Sequence, residues 1–319
     1  METNNPNRPS GWMLVLAFGA VYIIWGSTYL TIMIALESFP PFTLSGLRFL
    51  TAGLLLTGFC MLNRERIPSS RAIVQISITG ILLLFFGTGS VIWVEQYLNS
   101  SLTSIIWATL PVWLALLNKI TWPGNNLDLK GIIGLVIGFT GVLLLIGNQN
   151  GLNTPSNSNI LISMIIAFSG TIIYAGGSLY MRYKLAGTTP MTTASIQMIA
   201  AGLLSLLVSF VIGEPHQIIL SKISLNSILS LIYLISMGSI IAYLSYVWLI
   251  SRISPVIVGT YTYVNPIIAL FLGWSVLHEA ISIQQVIALL LILSGVVLIN
   301  IYKSKTLNHD CKNVARYGT

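Results

Sequence analysis

Long apolar runs alternate with short polar connections along almost the whole chain. Runs able to cross a bilayer fall at roughly 12–36, 41–62, 72–95, 100–121, 130–148, 159–181, 191–212, 226–250, 254–277 and 281–302. Each meets the requirement of about 20 residues for a helix across hydrocarbon. The pattern predicts ten membrane-spanning helices and no soluble domain. The connections carry turn chemistry: F-P-P after the first span, R-E-R-I-P-S-S-R after the second, W-P-G-N-N after the fourth. The longest polar linker, N-Q-N-G-L-N-T-P-S-N-S-N, separates the fifth span from the sixth. It divides the chain into two five-helix units, 1–148 and 149–319. The segment after Tyr302 is short and mixed in charge, and disorder is expected there.

Composition sharpens this reading. Only 7% of residues are charged and 55% are hydrophobic, with a mean hydropathy of +0.86. A soluble domain carries about 25% charged residues, so the fold class is all-α integral membrane. Two cysteines, Cys60 in a span and Cys311 in the tail, provide no disulfide framework. The first eleven residues are polar, and the run behind them is too long for a signal peptide's core and lacks a clear small-residue cleavage site. A retained first helix is expected.

The +7 net charge is explained by membrane topology and implies no nucleic-acid partner. With the N-terminus in the cytoplasm, thirteen Lys and Arg fall inside, Lys222 alone falls outside, and Arg48 lies within a span. Such a bias orients membrane proteins. Both termini are therefore expected in the cytoplasm.

The two units are similar. A shift of 155 positions carries Trp93 onto Trp248 and Pro111 onto Pro266. L-S-G-L-R-F-L-T-A-G-L-L-L (44–56) aligns with T-A-S-I-Q-M-I-A-A-G-L-L-S (193–205) at 149, and T-G-V-L-L-L-I (140–146) with S-G-V-V-L-I-N (294–300) at 154. Five helices is an odd number, so the second copy enters the membrane inverted. Inverted repeats are a recurring device of secondary transporters.

Several stretches in order resemble the EamA-type ten-helix exporters of the drug/metabolite transporter superfamily, over roughly 12–302. I-I-W-G-S-T-Y (23–29) is similar to the family's W-G-S signature, and L-R-F-L (47–50) to its second-helix Arg. V-E-Q-Y-L-N-S-S-L-T-S-I-I-W-A-T-L-P-V-W (94–113) resembles the run leading to the fourth-helix proline, and L-H-E-A-I-S (277–282) the turn before the last helix. The matching first-half turn, T-W-P-G-N-N-L-D (121–128), lacks the family's Glu. The resemblance implies transport of small organic solutes such as amino acids, metabolites or drugs, usually as efflux, and a bacterial inner membrane.

Candidate functional residues follow from depth and chemistry. Pro111 and Pro266 each remove a backbone donor and predict helix kinks that free the carbonyls of Trp107 and Thr262. These kinks either border a cavity or serve packing. Arg48 is the one basic residue well inside a span, where a lone Arg costs roughly 2.5–3.5 kcal/mol on insertion scales. It contacts a substrate carboxylate, or else snorkels to a salt bridge with Glu37 or Glu95. Gln197 and Ile250 stand at the equivalents of Arg48 and Glu95, so both charges belong to the first half. Glu95 is the candidate proton-coupling acid, or else a wet loop residue. Trp25, Thr28, Trp93, Trp107 and Thr109 in the first half gather at depths that match Tyr243, Tyr246, Tyr261 and Asn265 in the second. Such residues line a cavity for an amphipathic solute, or belong to the aromatic belts of the interface. Tyr246 falls with the belt. Gly131, Gly134, Gly138 and Gly141 share a face of the fifth span. That face serves packing within the chain or a homodimer seam.

Enzyme chemistry is not expected. His216, His278 and His309 lie on separate loops and the tail, and no HExxH, GxSxG or Walker sequence is present. No cofactor or metal is called for. The expectation is a secondary transporter exporting a small amphipathic solute by alternating access, with spans 1, 3, 4, 6, 8 and 9 around the cavity and protons as the coupling ion. The alternatives are a facilitator, a lipid or nucleotide-sugar carrier, or an accessory membrane subunit that moves nothing.

Overall fold

The computed structural model describes residues 11–121, 133, 134, 136, 137, 140, 141, 144, 157–185, 187–278, 282–295, 297 and 298. Among these residues there is no strand. Eight helices are long and apolar enough to cross a membrane. They are α1 (Gly11–Leu36), α2 (Pro41–Leu62), α3 (Ser70–Val94), α4 (Ser100–Thr121), α5 (Asn157–Lys184), α6 (Pro190–Val211), α7 (Leu225–Arg252) and α8 (Pro255–Val276). A shorter apolar helix, α9 (Ile283–Gly295), follows. Helices α5 to α9 are the sixth to tenth spans of the sequence pattern. Most of the fifth span, the linker behind it and both termini lie outside the described residues, as do Gly131, Gly138 and the 122–128 turn. The described part of the fifth span is helical and packs within the chain: Gly141 meets Ala288 and Ile292 of α9.

Helix starts are set by the polar connections. Asn99, Thr189 and Ser224 accept backbone N–H bonds from the third residue beyond and cap α4, α6 and α7. Pro41 and Pro190 stand in the first turn, where a missing N–H costs nothing. Two interruptions break the regular winding. In α4 the α-helical bonding lapses at Ala108–Thr109, just before Pro111. In α8 it lapses at Gly259–Thr260 and then continues through Pro266. Thus the kink beside Pro111 and the break in α8 do not fall at matching positions.

Helices α3 and α7 each contain a π-helical stretch, Ile81–Thr88 and Leu234–Tyr243. At the 155-residue offset the first maps onto 236–243, inside the second. A π turn leaves carbonyls without their usual partners and recurs at functional sites.

Packing follows a two-fold pattern. α1 packs on α7 and α8, and α5 packs correspondingly on α3 and α4. α2 touches the π stretch of α7, α6 that of α3, and α4 meets α8. The most extensive contact, α2 against α6, lies where the two units exchange. There the 149-residue offset holds side chain by side chain. A Cβ on Gly53 would lie 2.9 Å from the Ile199 nitrogen, and one on Gly202 would lie 2.5 Å from the Leu50 nitrogen. Glycine at both places lets the backbones touch, which matters in lipid, where dispersion rather than hydrophobic burial joins helices.

Both ends of this pair are fastened by a carboxylate. Glu214 accepts from Phe42 N (3.1 Å), Thr43 N (2.6 Å) and Thr43 Oγ1 (3.0 Å). It thereby caps α2, whose own N-cap residue, Pro40, has no side-chain cap. Its equivalent Glu65 accepts from Thr189 Oγ1 (2.5 Å) and from Thr192 Oγ1 at the start of α6. Thr43 bonds Ser209 (2.6 Å), and at the equivalent positions Thr192 approaches Cys60 (3.8 Å). Even the preceding turn repeats: Arg64 (φ 52°) and Gly213 (φ 78°) are both left-handed.

Candidate functional site

A central cavity lies between the halves and is walled by seven of the eight spans, all but α6. Its shape follows from the π stretch of α7. The Trp25 indole donates through Nε1 to the Gly238 carbonyl (3.1 Å), and Arg48 donates through Nε to the Ser239 hydroxyl (2.8 Å). A Cβ on Gly238 would stand 2.9 Å from Arg48 Nη2, so glycine there leaves room for the guanidinium. Gln197, the two-fold equivalent of Arg48, does the same in the other half. Its Nε2 donates to Thr79 (2.8 Å) on α3, and its Oε1 accepts from Tyr243 (2.8 Å).

Arg48 is 2% exposed and Glu95 is 4% exposed, whereas Glu37 is exposed. Arg48 therefore points into the bundle and does not snorkel. Glu95, the residue that ends α3, is within electrostatic reach of Arg48 and of Tyr29. Arg48 Nη1 and Trp107 Nε1, both on the cavity wall, have no hydrogen-bond partner. Buried donors of this kind are costly unless something accepts from them.

The aromatic wall is continuous. Trp25 lies 4.8 Å from Tyr261 and 5.2 Å from Tyr246 between ring centroids, Tyr174 lies 5.6 Å from Tyr246, and Trp107 lies 5.3 Å from Tyr174. These spacings are typical of paired rings. Asn265, with its amide nitrogen toward two carbonyls, donates to Tyr22 O (3.1 Å) and Tyr261 O (3.0 Å) and ties α8 to α1. About 40 Å³ of the cavity is open to water-sized molecules, room for about three waters at 10–15 Å³ each. In this conformation the walls leave little room between them.

Trp25, Thr28, Arg48, Trp107, Tyr243, Tyr261 and Asn265 thus come together on one wall. Trp93 and Thr109 do not. Trp93 packs on Tyr97 at the end of α3 (5.2 Å), and the Thr109 hydroxyl turns back to Ile106 O (2.8 Å). Pro111 is buried beyond the break in α4, and Pro266 lies inside α8 next to Asn265. Sequence reasoning missed Tyr29 and Tyr174, and it assigned to the belt Tyr246, which is fully buried and bonded to Ser178 (2.6 Å). The signal available was position: Tyr174 sits mid-span in α5 and Tyr246 only two turns from the end of α7.

An all-helical membrane bundle with a central cavity shared by two similar halves has the architecture of a solute transporter. The chain belongs to the EamA-like transporter family, whose model matches residues 11–147 and again residues 161–301. It is 34% identical over 288 residues to the uncharacterized inner membrane transporter YedA of Escherichia coli (strain K12), covering 90% of each chain. It is 28% identical over 315 residues to an uncharacterized transporter in the trpA 3′ region of Buchnera aphidicola subsp. Schlechtendalia chinensis, covering 96% of each. A solved structure described as a crystal structure of protein shares the fold, with a TM-score of 0.65 at 19% identity over 93% of this chain and 99% of that one. The family and these names denote membrane transporters rather than enzymes.

Proposed function

We propose that this membrane transporter is a secondary-active exporter of a small amphipathic solute in a bacterial inner membrane. It works by alternating access between two inverted units, 1–148 and 149–319, built from ten helices with both termini cytoplasmic. The observation that carries this reading is the narrow aromatic cavity between the halves, with the unpartnered donors Arg48 Nη1 and Trp107 Nε1 on its wall. A solute with an acceptor group and an apolar body satisfies both features. Rocking the halves would open that cavity to one side and then the other. Glu95, buried beside Arg48, is the proton-coupling acid: Glu95→Gln is expected to abolish uphill movement and to leave downhill exchange. An unchanged uphill rate would remove Glu95 from the mechanism.

The test is an untargeted profile of the medium around cells expressing the chain, its Arg48→Ala variant at equal level, and empty vector. Export predicts one solute class accumulating outside with the intact protein and not with the variant. Three matching profiles, in hosts supplied with candidate solutes, would overturn it. The tightness of the cavity favours one second reading, an accessory subunit that moves nothing; matching profiles would bring it forward.

A further inference from the structure

We infer that Arg182 and Arg252 form an anion-collecting port at one mouth of the transport path, for a small carboxylate or phosphate-bearing solute. The inference rests on the transporter reading and deepens it. The C-terminal ends of α5 and α7 and the start of α6 surround a second cavity, with about 400 Å³ open to water-sized molecules, far roomier than the central one. In the orientation proposed above it faces the cytoplasm.

Two guanidiniums from different helices converge there on one residue. Arg182 donates through Nη1 to the Ser251 carbonyl, and Arg252 donates through Nη1 to the Ser251 hydroxyl (3.1 Å). Arg252 also lies over the Trp248 ring at 4.7 Å, which fixes its plane. No acidic side chain is among the described residues that line this mouth. Glu65 lines an adjoining cavity with Pro190 and Trp248, but it is engaged by Thr189 and Thr192. The two like charges on the mouth itself repel, and an anion between them relieves that repulsion through charge-assisted bonds. On the facing wall the Thr188 and Thr193 hydroxyls bond each other (2.9 Å), which leaves one O–H of the pair to donate. The ordinary orienting role of basic residues explains Arg64, Arg66 and Arg71, which line neither this mouth nor the central cavity. It does not explain why these two converge.

The mouth is also next to the central cavity. Met181 lines the mouth and its sulfur accepts from Gln197 Nε2 (3.2 Å), while Gln197 Oε1 accepts from Tyr243, which lines the central cavity. A bonded chain of three side chains, Met181–Gln197–Tyr243, links the two spaces. Two side chains, Met181 and Gln197, stand between an anion gathered at the arginines and Tyr243.

The local potential can be measured without knowing the solute. Ser251→Cys, in a Cys60→Ser, Cys311→Ser background, is reconstituted in phosphatidylcholine vesicles. It is labelled with methanethiosulfonates carrying either a sulfonate or a trimethylammonium group. The sulfonate-to-ammonium rate ratio should exceed that of a free small thiol by about tenfold, the low end of what focused fields achieve. Adding Arg182→Gln and Arg252→Gln should return it to the free-thiol value. Sodium succinate should slow labelling more than sodium chloride of equal ionic strength, and added phosphatidylglycerol should not. A ratio at the free-thiol value, a ratio unchanged by the two substitutions, or protection by phosphatidylglycerol alone would overturn the port. Labelling requires no transport, so a failed port and a failed exporter reading are separate results.

Discussion

Glu65 and Glu214 occupy equivalent places yet should contribute very unequally to stability. Glu214 is 3% exposed and accepts two backbone N–H groups of α2 that have no other cap. Glu214→Ala leaves both donors buried and unpaired, at about 1–3 kcal/mol each, so roughly 3–5 kcal/mol in total. Glu214→Gln keeps one neutral acceptor and loses the charge at the helix start, which costs about 1–2 kcal/mol. Glu65 is only half-buried, and it bonds threonine hydroxyls rather than backbone. Thr189 caps α6 without its help. Glu65→Ala should therefore cost less than about 1 kcal/mol, since the hydroxyls can turn to water. For a chain of this size 1 kcal/mol moves the midpoint by about 2 °C. Thermal unfolding of detergent-solubilised protein, followed by fluorescence-detected size exclusion, should show losses of roughly 6–10 °C, 2–4 °C and under 2 °C for the three variants. A Glu65→Ala loss as large as that of Glu214→Ala would refute the burial argument.

Two further outcomes follow from the same turns. Arg64 holds a left-handed conformation that costs a residue with a Cβ about 1–2 kcal/mol, and its equivalent is Gly213; glycine's greater freedom in the unfolded chain offsets about 0.5–1 kcal/mol of that relief, so Arg64→Gly should raise the unfolding midpoint by about 1–2 °C, and a lowered midpoint would contradict this. Partial burial pushes the Glu65 carboxyl up, but hydrogen bonds from Thr189, Thr192 and Cys60 outweigh it and hold it below the usual carboxylate range. A depressed folded value gives stability that is full above the unfolded pKa of about 4.3 and lost as pH falls through the folded one. The midpoint gap between wild type and Glu65→Gln should accordingly be flat above about pH 5 and close below it; a gap that widens in acid would reverse the sign.

Most span ends were legible because polar connections and capping residues mark them. Pro41, Asn99, Thr189 and Ser224 each begin a helix within two residues of the apolar run they precede. The two offsets, 149 and 155, were legible as well, and the first matches the α2–α6 contacts residue by residue. What the chain hides is helix rotation. A span facing lipid on one side and protein on the other is apolar all round, so depth can be read but direction cannot. Trp93 and Thr109 stand at suitable depth and face elsewhere, while Tyr29, Tyr174 and Tyr246 face inward. The π stretches are equally hidden, since I-L-L-L-F-F-G-T and L-I-S-M-G-S-I-I-A-Y hold nothing that an α-helix would refuse.

The double fastening of α2 to α6 bears on which contacts can open. If this seam parted at either face, Glu214 would release two backbone donors or Glu65 would release two hydroxyls, and the Gly53–Gly202 contact would be lost with them. Opening instead between α7 and its neighbours breaks single side-chain bonds, such as Trp25 to Gly238 and Tyr243 to Gln197. The cheaper motion therefore leaves α2 and α6 joined while the π-bearing helices move. Cross-linking checks this directly. Cys60 paired with Thr192→Cys joins one end, where sulfur and hydroxyl are 3.8 Å apart, and Thr43→Cys with Ser209→Cys joins the other, where the hydroxyls are 2.6 Å apart. With the side-chain tips this close, small rotations bring two sulfurs toward the bond length of about 2 Å. Oxidising either pair, with Cys311 replaced by Ser, should leave accumulation of the exported solute in the medium at half or more of the reduced level (about 0.4 kcal/mol of barrier at most). Loss of export on oxidation, restored by reductant, would show that the seam opens during the cycle and that the fastened pair is a gate.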